Sequence, residues 1–243
     1  MSWLATLIAN STLKAMKMMT PIEEKRLAND AQMREVYDLR VFVVGGGFQY
    51  TKMFFDAGFK GARSVDDADI VCFTGGEDVD PAFYSEKPIP GTNFNSRRDE
   101  IEAYIYGEAI ALSKPMIGIC RGSQFLNVMN GGRLWQDVNN HCNGPHVVTD
   151  VRTGELKHNM TSTHHQQMIA GDGATIIAAA ILSTKKKSEI ETLTRVNPNM
   201  DDMEVLWYAD TTTLCFQPHP EFYHGECRNY FLDLVDDLIL PAC

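Results

Sequence analysis

The sequence has 243 residues and a formal net charge of −10 at pH 7. Apolar residues make up 44% of it and charged residues 22%, enough for a real core in a soluble chain. The acidic balance excludes a broad basic face for a phosphate backbone, so no nucleic-acid partner is expected. No run of about 18 apolar residues is present, which excludes a membrane-spanning helix.

The opening Met1-Ser2-Trp3-Leu4-Ala5-Thr6-Leu7-Ile8 is apolar, but its first lysine, Lys14, follows the apolar run, the wrong order for a secretory signal. Six cysteines without a CxxC pair or regular spacing argue against disulfide staples, and a reducing cytoplasm is the expected setting. Thr20-Pro21-Ile22-Glu23 combines a cap, a first-turn proline and a glutamate able to reach back, predicting a helix over 21–37. Residues 1–38 thus read as an N-terminal helical extension and 39–243 as one domain.

Arg40-Val41-Phe42-Val43-Val44 reads as a buried strand closed by Gly45-Gly46-Gly47, with a helix from Tyr50 to Ala57 behind it. The triple glycine lacks G-x-G-x-x-G and a following Lys-Ser/Thr, so it reads as a tight strand–helix turn, not a phosphate cradle. Asp69 to Thr74 is a second apolar strand, closed by Gly75-Gly76, and residues 77–96 form a long loop. Arg98 to Leu112 has helical periodicity in apolar residues at 101, 105, 109 and 112. Pro115 to Ile119 is a third apolar strand, followed by a helix from Ser123 to Met129. Apolar strands alternating with helices predict an α/β fold, a mainly parallel sheet covered on both faces.

In the second half, 139–165 reads as a polar loop, and 174–182, 190–196, 204–209 and 213–217 as strands added antiparallel to the same sheet. Lys185-Lys186-Lys187 reads as a solvated hairpin tip. A last helix from Gly225 to Leu238 gathers Tyr230, Phe231, Leu234, Val235 and Leu238 on one face.

The strongest local signal is Gly118-Ile119-Cys120-Arg121-Gly122, between an apolar strand and a helix. It has the G-x-nucleophile-x-G pattern of a sharp elbow, with cysteine as nucleophile. The free N–H groups and positive dipole end of the following helix favour negative charge there, both on sulfur and on a developing oxyanion. A thiolate acyl-transfer site also needs an acid/base. In Gln217-Pro218-His219-Pro220-Glu221 the prolines stiffen the chain around His219. Glu221 can bend back to orient the imidazole, completing a Cys120–His219–Glu221 triad.

With these segments assembled, the chain resembles the class I glutamine amidotransferases, and among them the γ-glutamyl hydrolase-like, peptidase C26-type members. The resemblance rests on Thr74-Gly75-Gly76-Glu77-Asp78-Val79-Asp80-Pro81 with Tyr84, on Arg98-Asp99-Glu100-Ile101-Glu102, and on Lys114 to Asn127 with Gly131-Gly132 and Gln136-Asp137. Ser162-Thr163-His164-His165-Gln166 and Gln217 to Glu221 complete it, in the family's order. The short section between Val41 and Thr74 is similar to compact bacteriophage-encoded members.

The resemblance implies a flavodoxin-like doubly wound fold and hydrolysis of a γ-glutamyl amide through a thioester. It implies an oxyanion hole at the backbone amides of Gly76 and Arg121, and a γ-glutamyl pocket near Gln124, His164, His165 and Gln166. Glutamine or a γ-glutamyl amide is the expected small-molecule partner. A glutaminase component serving a separate synthetase, and a catalytically silent binding module, are the alternatives. No cofactor is implied.

Arg98, Asp99 and Glu102 read as caps or a salt-bridged face rather than substrate ligands. His141-Cys142, His146 and His164-His165 lack the short paired spacing of zinc ligands, so no metal is expected and a substrate-side loop is the reading. Tyr84, Phe94, His141 and His146 are accordingly expected to face the leaving amine.

Overall fold

A computed structural model describes residues 38–194, 202–222 and 225–243. The helix expected over 21–37 lies outside the described residues. Residues Arg40–Cys243 form one compact unit.

The strands in chain order are β1 (Arg40–Val44), β2 (Lys60–Gly61), β3 (Ile70–Phe73), β4 (Met116–Ile119), β5 (Arg133–Trp135), β6 (Asp137–Val138) and β7 (His146–Asp150). There follow β8 (Leu156–Met160), β9 (Gln167–Ile169), β10 (Ala174–Ala180), β11 (Lys185–Lys187), β12 (Thr192–Thr194), β13 (Asp202–Tyr208) and β14 (Thr213–Phe216). The helices are α1 (Phe48–Asp56), α2 (Ser96–Ala111), α3 (Arg121–Met129) and α4 (Glu226–Leu234), with 3-10 segments at Pro81–Tyr84 and Leu240–Ala242 and a π-helical turn at Val235–Ile239.

The main sheet runs β2-β1-β3-β4-β14-β13-β10-β7-β8, with β9 beside β13 and β5 beside β9. From β2 to β14 every pairing is parallel; beyond β14 every pairing is antiparallel. Every residue of β3, β4 and β14 is buried, as continuous apolar runs require when helices cover both faces of a sheet. Phe73 stacks on Phe125 of α3 at 5.7 Å on one face, and Phe216 meets Phe231 of α4 at 5.2 Å on the other. Phe54 of α1 meets Phe231 at 6.1 Å. Each such buried aromatic contributes on the order of 1.5–3 kcal/mol by burial. Among the described residues no helix is long and apolar enough to cross a membrane.

Several expectations are corrected. β14, expected as an antiparallel addition, pairs parallel with β4 and stands at the centre of the sheet. The expected strand at 190–196 is described only as β12, in a separate antiparallel sheet β12-β11-β6. Lys185-Lys186-Lys187 is β11 rather than a hairpin tip, and Lys186 is buried because its Nζ lies 2.6 Å from Oδ1 of Asp202. The expected loop 139–165 contains β7 and β8.

Helix α2 buries only part of its apolar periodicity: Ala109 is in the core and Ile105 packs against it, while Ile101 and Leu112 are exposed and Asp99 and Glu102 are buried. The polar pair turns inward because a buried arginine needs it.

Candidate active site

Three neighbouring parallel strands deliver the site. β3 ends in Thr74-Gly75-Gly76, β4 in Cys120, and β14 in Gln217-Pro218-His219. The register sets Phe73 beside Gly118 and Ile119 beside Phe216, so the three segments leave one sheet edge together. That carboxyl edge is where open α/β sheets bind ligands.

Cys120 has φ 52° and ψ −113°, a conformation that costs a non-glycine residue about 1–3 kcal/mol and persists only where surroundings enforce it. Its N–H donates to the Phe216 carbonyl at 2.9 Å, and its carbonyl accepts from Ser123 Oγ at 2.6 Å. The flanking glycines are steric requirements: a Cβ on Gly118 would lie 2.4 Å from the Gly122 carbonyl oxygen, and one on Gly122 would lie 2.2 Å from that of Phe73. The elbow expected from sequence is thus present in its geometry.

His219 is held from both sides. Its N–H donates to Thr161 Oγ1 at 2.9 Å, and Thr161 Oγ1 donates to its carbonyl at 2.7 Å. Nδ1 lies 2.7 Å from Oε1 of Glu221, and the Phe222 ring stacks parallel on the imidazole at 4.3 Å. Arg228 donates to the carbonyls of Pro220 and Glu221, locking the segment. Burial pulls the imidazole's pKa down, but negative charge at Cys120 and at Glu221 outweighs it and pushes the value up to about 10. Cys120 and His219 converge on Gly75: a Cβ placed there would lie 3.6 Å from the Cys120 Cβ, 3.2 Å from His219 Cε1 and 2.7 Å from the Tyr50 hydroxyl. That hydroxyl accepts from the Gly75 N–H at 3.1 Å, and its pKa is raised by burial and then by the Glu221 charge. Sequence reading missed Tyr50 and Thr161, because their partners Gly75 and His219 are remote in sequence, and missed Phe222, whose stacking on His219 is local but has no spacing signature.

Arg121 opens α3, so its N–H has no intrahelical acceptor. Gly76 lines the same cavity as Cys120. The Arg121 side chain turns away and pairs with Asp99 and Glu102, all three buried. Arg98 donates to the carbonyls of Thr74 at 3.2 Å and Gly75 at 3.1 Å. The expected structural role of Arg98, Asp99 and Glu102 therefore takes the form of a brace under the two loops that flank Cys120.

A cavity of about 360 Å³ opens at Cys120 and His219 and is also lined by Gly76, Arg121, Gln124, His164, His165 and Gln166, with Glu221 behind His219. Their environments differ. Gln124 Nε2 donates to the Gln166 carbonyl at 3.1 Å and to Gln217 Oε1 at 3.2 Å, bracing the wall. His165 Nε2 lies 3.1 Å from Asp78 Oδ1, and that hydrogen bond raises its pKa. The Gln166 amide is buried, and among the described residues neither its Nε2 nor its Oε1 has a hydrogen-bond partner. Glu77, Asp78 and Asn93 also line the cavity and were not anticipated as site residues. Tyr84, His141 and His146 do not belong to the leaving-amine side. Tyr84 packs in the hydrophobic core, and the two histidines are buried around Glu204 with His164. Burial lowers the His164 pKa to about 4.

Comparison with known proteins gives a consistent result. The glutamine amidotransferase-like protein YvdE of Lactococcus lactis subsp. lactis is 36% identical over 131 residues, 45% of this chain and 55% of that protein. A Mycobacterium tuberculosis protein that carries the name of a glutamine amidotransferase is 31% identical over 191 residues, 71% of this chain and 56% of that one. The chain thus spans little more than half the length of these relatives. The crystal structure of a glutamine amidotransferase from Thermotoga maritima has the same fold, with a TM-score of 0.53 at 16% identity over 84% of this chain and 90% of that chain. The peptidase C26 family matches residues 55–197, more than half of the sequence, and the chain belongs to that family.

Proposed function

We propose that the protein is a thiol amidase that hydrolyses glutamine or a γ-glutamyl amide through a Cys120 thioester. The observation that carries this reading is Cys120 in its enforced elbow conformation at the start of α3, with the His219–Glu221 pair across Gly75. In the reaction, Cys120 Sγ attacks the side-chain carbonyl carbon, and the carbonyl oxygen takes up charge facing the N–H groups of Gly76 and Arg121. His219 as imidazolium gives its Nε2 proton to the departing nitrogen, and ammonia or an amine leaves. Neutral His219 then takes a proton from water as that water attacks the thioester carbonyl, and glutamate is released with the thiolate restored. Glu221 holds Nδ1–H throughout, so that Nε2 is the atom that carries protons.

The test pairs two measurements. A diazo-ketone analogue of glutamine should add its mass once, on Cys120, and glutamine or one of a panel of γ-glutamyl amines should yield glutamate with ammonia or amine. A chain that is labelled elsewhere, or turns over none of the panel with or without cell extract, is not this enzyme.

A further inference from the structure

Behind the cavity wall lies a buried polar cluster that the proposed hydrolysis does not use. It draws His141 from the segment after β6, His146 from the start of β7, His164 from the segment before β9, and Glu204 from β13. All are at most 9% exposed. His141 Nδ1 lies 3.4 Å and His146 Nε2 3.3 Å from Glu204 Oε1, and His164 Nε2 lies 3.9 Å from Glu204 Oε2. Among the described residues, those three ring nitrogens and both carboxylate oxygens are buried without a hydrogen-bond partner.

The far sides of two rings are engaged. His164 Nδ1 lies 2.8 Å from the Gln166 carbonyl oxygen, which can only accept, so Nδ1 carries the hydrogen. His141 Nε2 lies 3.0 Å from Oδ2 of Asp202, which also accepts from the N–H groups of Leu182 and Ser183. In the neutral rings the lone pairs of His141 Nδ1 and His164 Nε2 therefore point at each other's neighbourhood and at a carboxylate. That arrangement is repulsive unless a cation lies between, and it is how outer-sphere carboxylates and carbonyls orient metal-bound histidines. Lys186 answers the charge of Asp202, whereas the Glu204 carboxylate faces only imidazoles in this cluster. A buried carboxylate without a counter-charge costs several kcal/mol.

The spacing fits an ion. The donor atoms of His141, His164 and Glu204 all lie within 4.8 Å of one another. Ligand atoms about 2.0–2.1 Å from a tetrahedral zinc are roughly 3.4 Å apart, beside observed contacts of 3.3, 3.4 and 3.9 Å.

We propose that His141, His164 and Glu204 bind one divalent transition-metal ion, zinc being the best match to two imidazoles and a carboxylate. His146, 3.3 Å from Glu204 Oε1, stands beside this set. The ion ties β13 to the segment 163–166 that lines the catalytic cavity. The sequence spacing concealed it: each ligand comes from a different element, with no short pair to announce a site.

The experiment uses the full chain carrying Cys120→Ala, which removes a competing thiolate and makes the readout independent of turnover. After chelator treatment and dialysis, Zn²⁺ alone is titrated by calorimetry, and Co²⁺ alone is followed by its visible spectrum. The expected result is one ion per chain, a raised Tm, and Co²⁺ bands of tetrahedral intensity. Imidazole N–H protons of His141 and His164 should shift paramagnetically in the Co²⁺ form, a measurement that needs no site variant. Glu204→Gln and His141→Phe should each weaken binding by more than the about 10- to 100-fold that loss of an outer-sphere partner costs. The proposal is overturned if the chain takes up no ion saturably, or if stoichiometric binding survives in the Glu204→Gln/His141→Phe double variant, which would place the ion elsewhere.

Discussion

Oε1 of Glu102 accepts a hydrogen bond from Nε of Arg98 at 2.8 Å, one helical turn away, and its other oxygen pairs with Arg121. Glu102 thereby links the two loops beside Cys120: Arg98 holds the carbonyls of Thr74 and Gly75, and Arg121 opens the helix behind the nucleophile. Glu102 and Arg121 are both buried, so Glu102→Gln leaves part of an arginine charge uncompensated. It should cost about 3 kcal/mol or more in urea unfolding. Glu77, whose carboxylate meets Arg98 at 2.9 Å, is far more open, and Glu77→Gln should cost under about 1 kcal/mol. Equal costs would mean that Glu102 is not the brace.

Five of the cysteines are held away from the thiolate form. Burial pushes the thiols of Cys72, Cys215 and Cys142 up, and those of Cys227 and Cys243 up to about 11. Iodoacetamide at mildly acidic pH should therefore modify Cys120 first, at least tenfold faster than any other. Peptide mapping of the first adduct decides this; preferential modification of exposed Cys142 or Cys243 would remove Cys120 from the nucleophile's role.

The pKa of His219 stands at about 10, above its ordinary 6.5, chiefly because negative charge at Cys120 and Glu221 outweighs burial. The sign follows directly. A raised folded value stabilises the protein fully below pH 6.5, and that contribution fades as pH rises toward 10. In Cys120→Ala the Cys120 charge is gone and burial opposes Glu221 alone, so the His219 value should fall well below 10. Imidazole ¹⁵N shifts against pH measure it, and an unchanged titration in the variant would show that Cys120 and His219 are not coupled.

The sequence made the elbow legible because its requirements are local. Gly118 and Gly122 flank Cys120 within five residues, and a Cβ at either would strike backbone. His219 and Glu221 were legible for the same reason, being two residues apart with His219 set between Pro218 and Pro220. Helix α2 itself was legible from its periodicity, but its partner was not: Asp99 and Glu102 turn inward to meet Arg121, 22 and 19 residues further on. Lys186 looked solvated until Asp202, from a distant strand, came within 2.6 Å. The cluster around Glu204 was invisible for the same reason: pairings across long sequence separations create it. Where chemistry depends on neighbours in sequence, spacing reveals it; where it depends on strand order, spacing does not.

Under the proposed function, the cavity is expected to separate two kinds of recognition. Gln166 presents a buried amide with both polar atoms unpartnered among the described residues, beside Cys120 and His219, so it is the candidate for the invariant glutamyl end of a substrate. Phe94 pairs with Asp78 through an isolated bridge in the 77–96 loop and stands next to Asn93 of the cavity rim, so it suits the variable leaving amine. Loops on a rigid scaffold carry such selectivity. Gln166→Leu removes one or two hydrogen bonds, each worth about 0.5–1.5 kcal/mol, so kcat/KM should fall roughly tenfold by a similar factor for every γ-glutamyl amine. Phe94→Ala should change the ranking among amines while leaving labelling of Cys120 by the small glutamine analogue within twofold of the unsubstituted chain. The measurement is kcat/KM across the same set of leaving amines for both variants, paired with labelling rates. If Phe94→Ala instead lowers every amine equally and slows labelling, the 77–96 loop builds the glutamyl pocket. If Gln166→Leu reorders the amines while sparing labelling, the two ends of the substrate lie the opposite way round in the cavity.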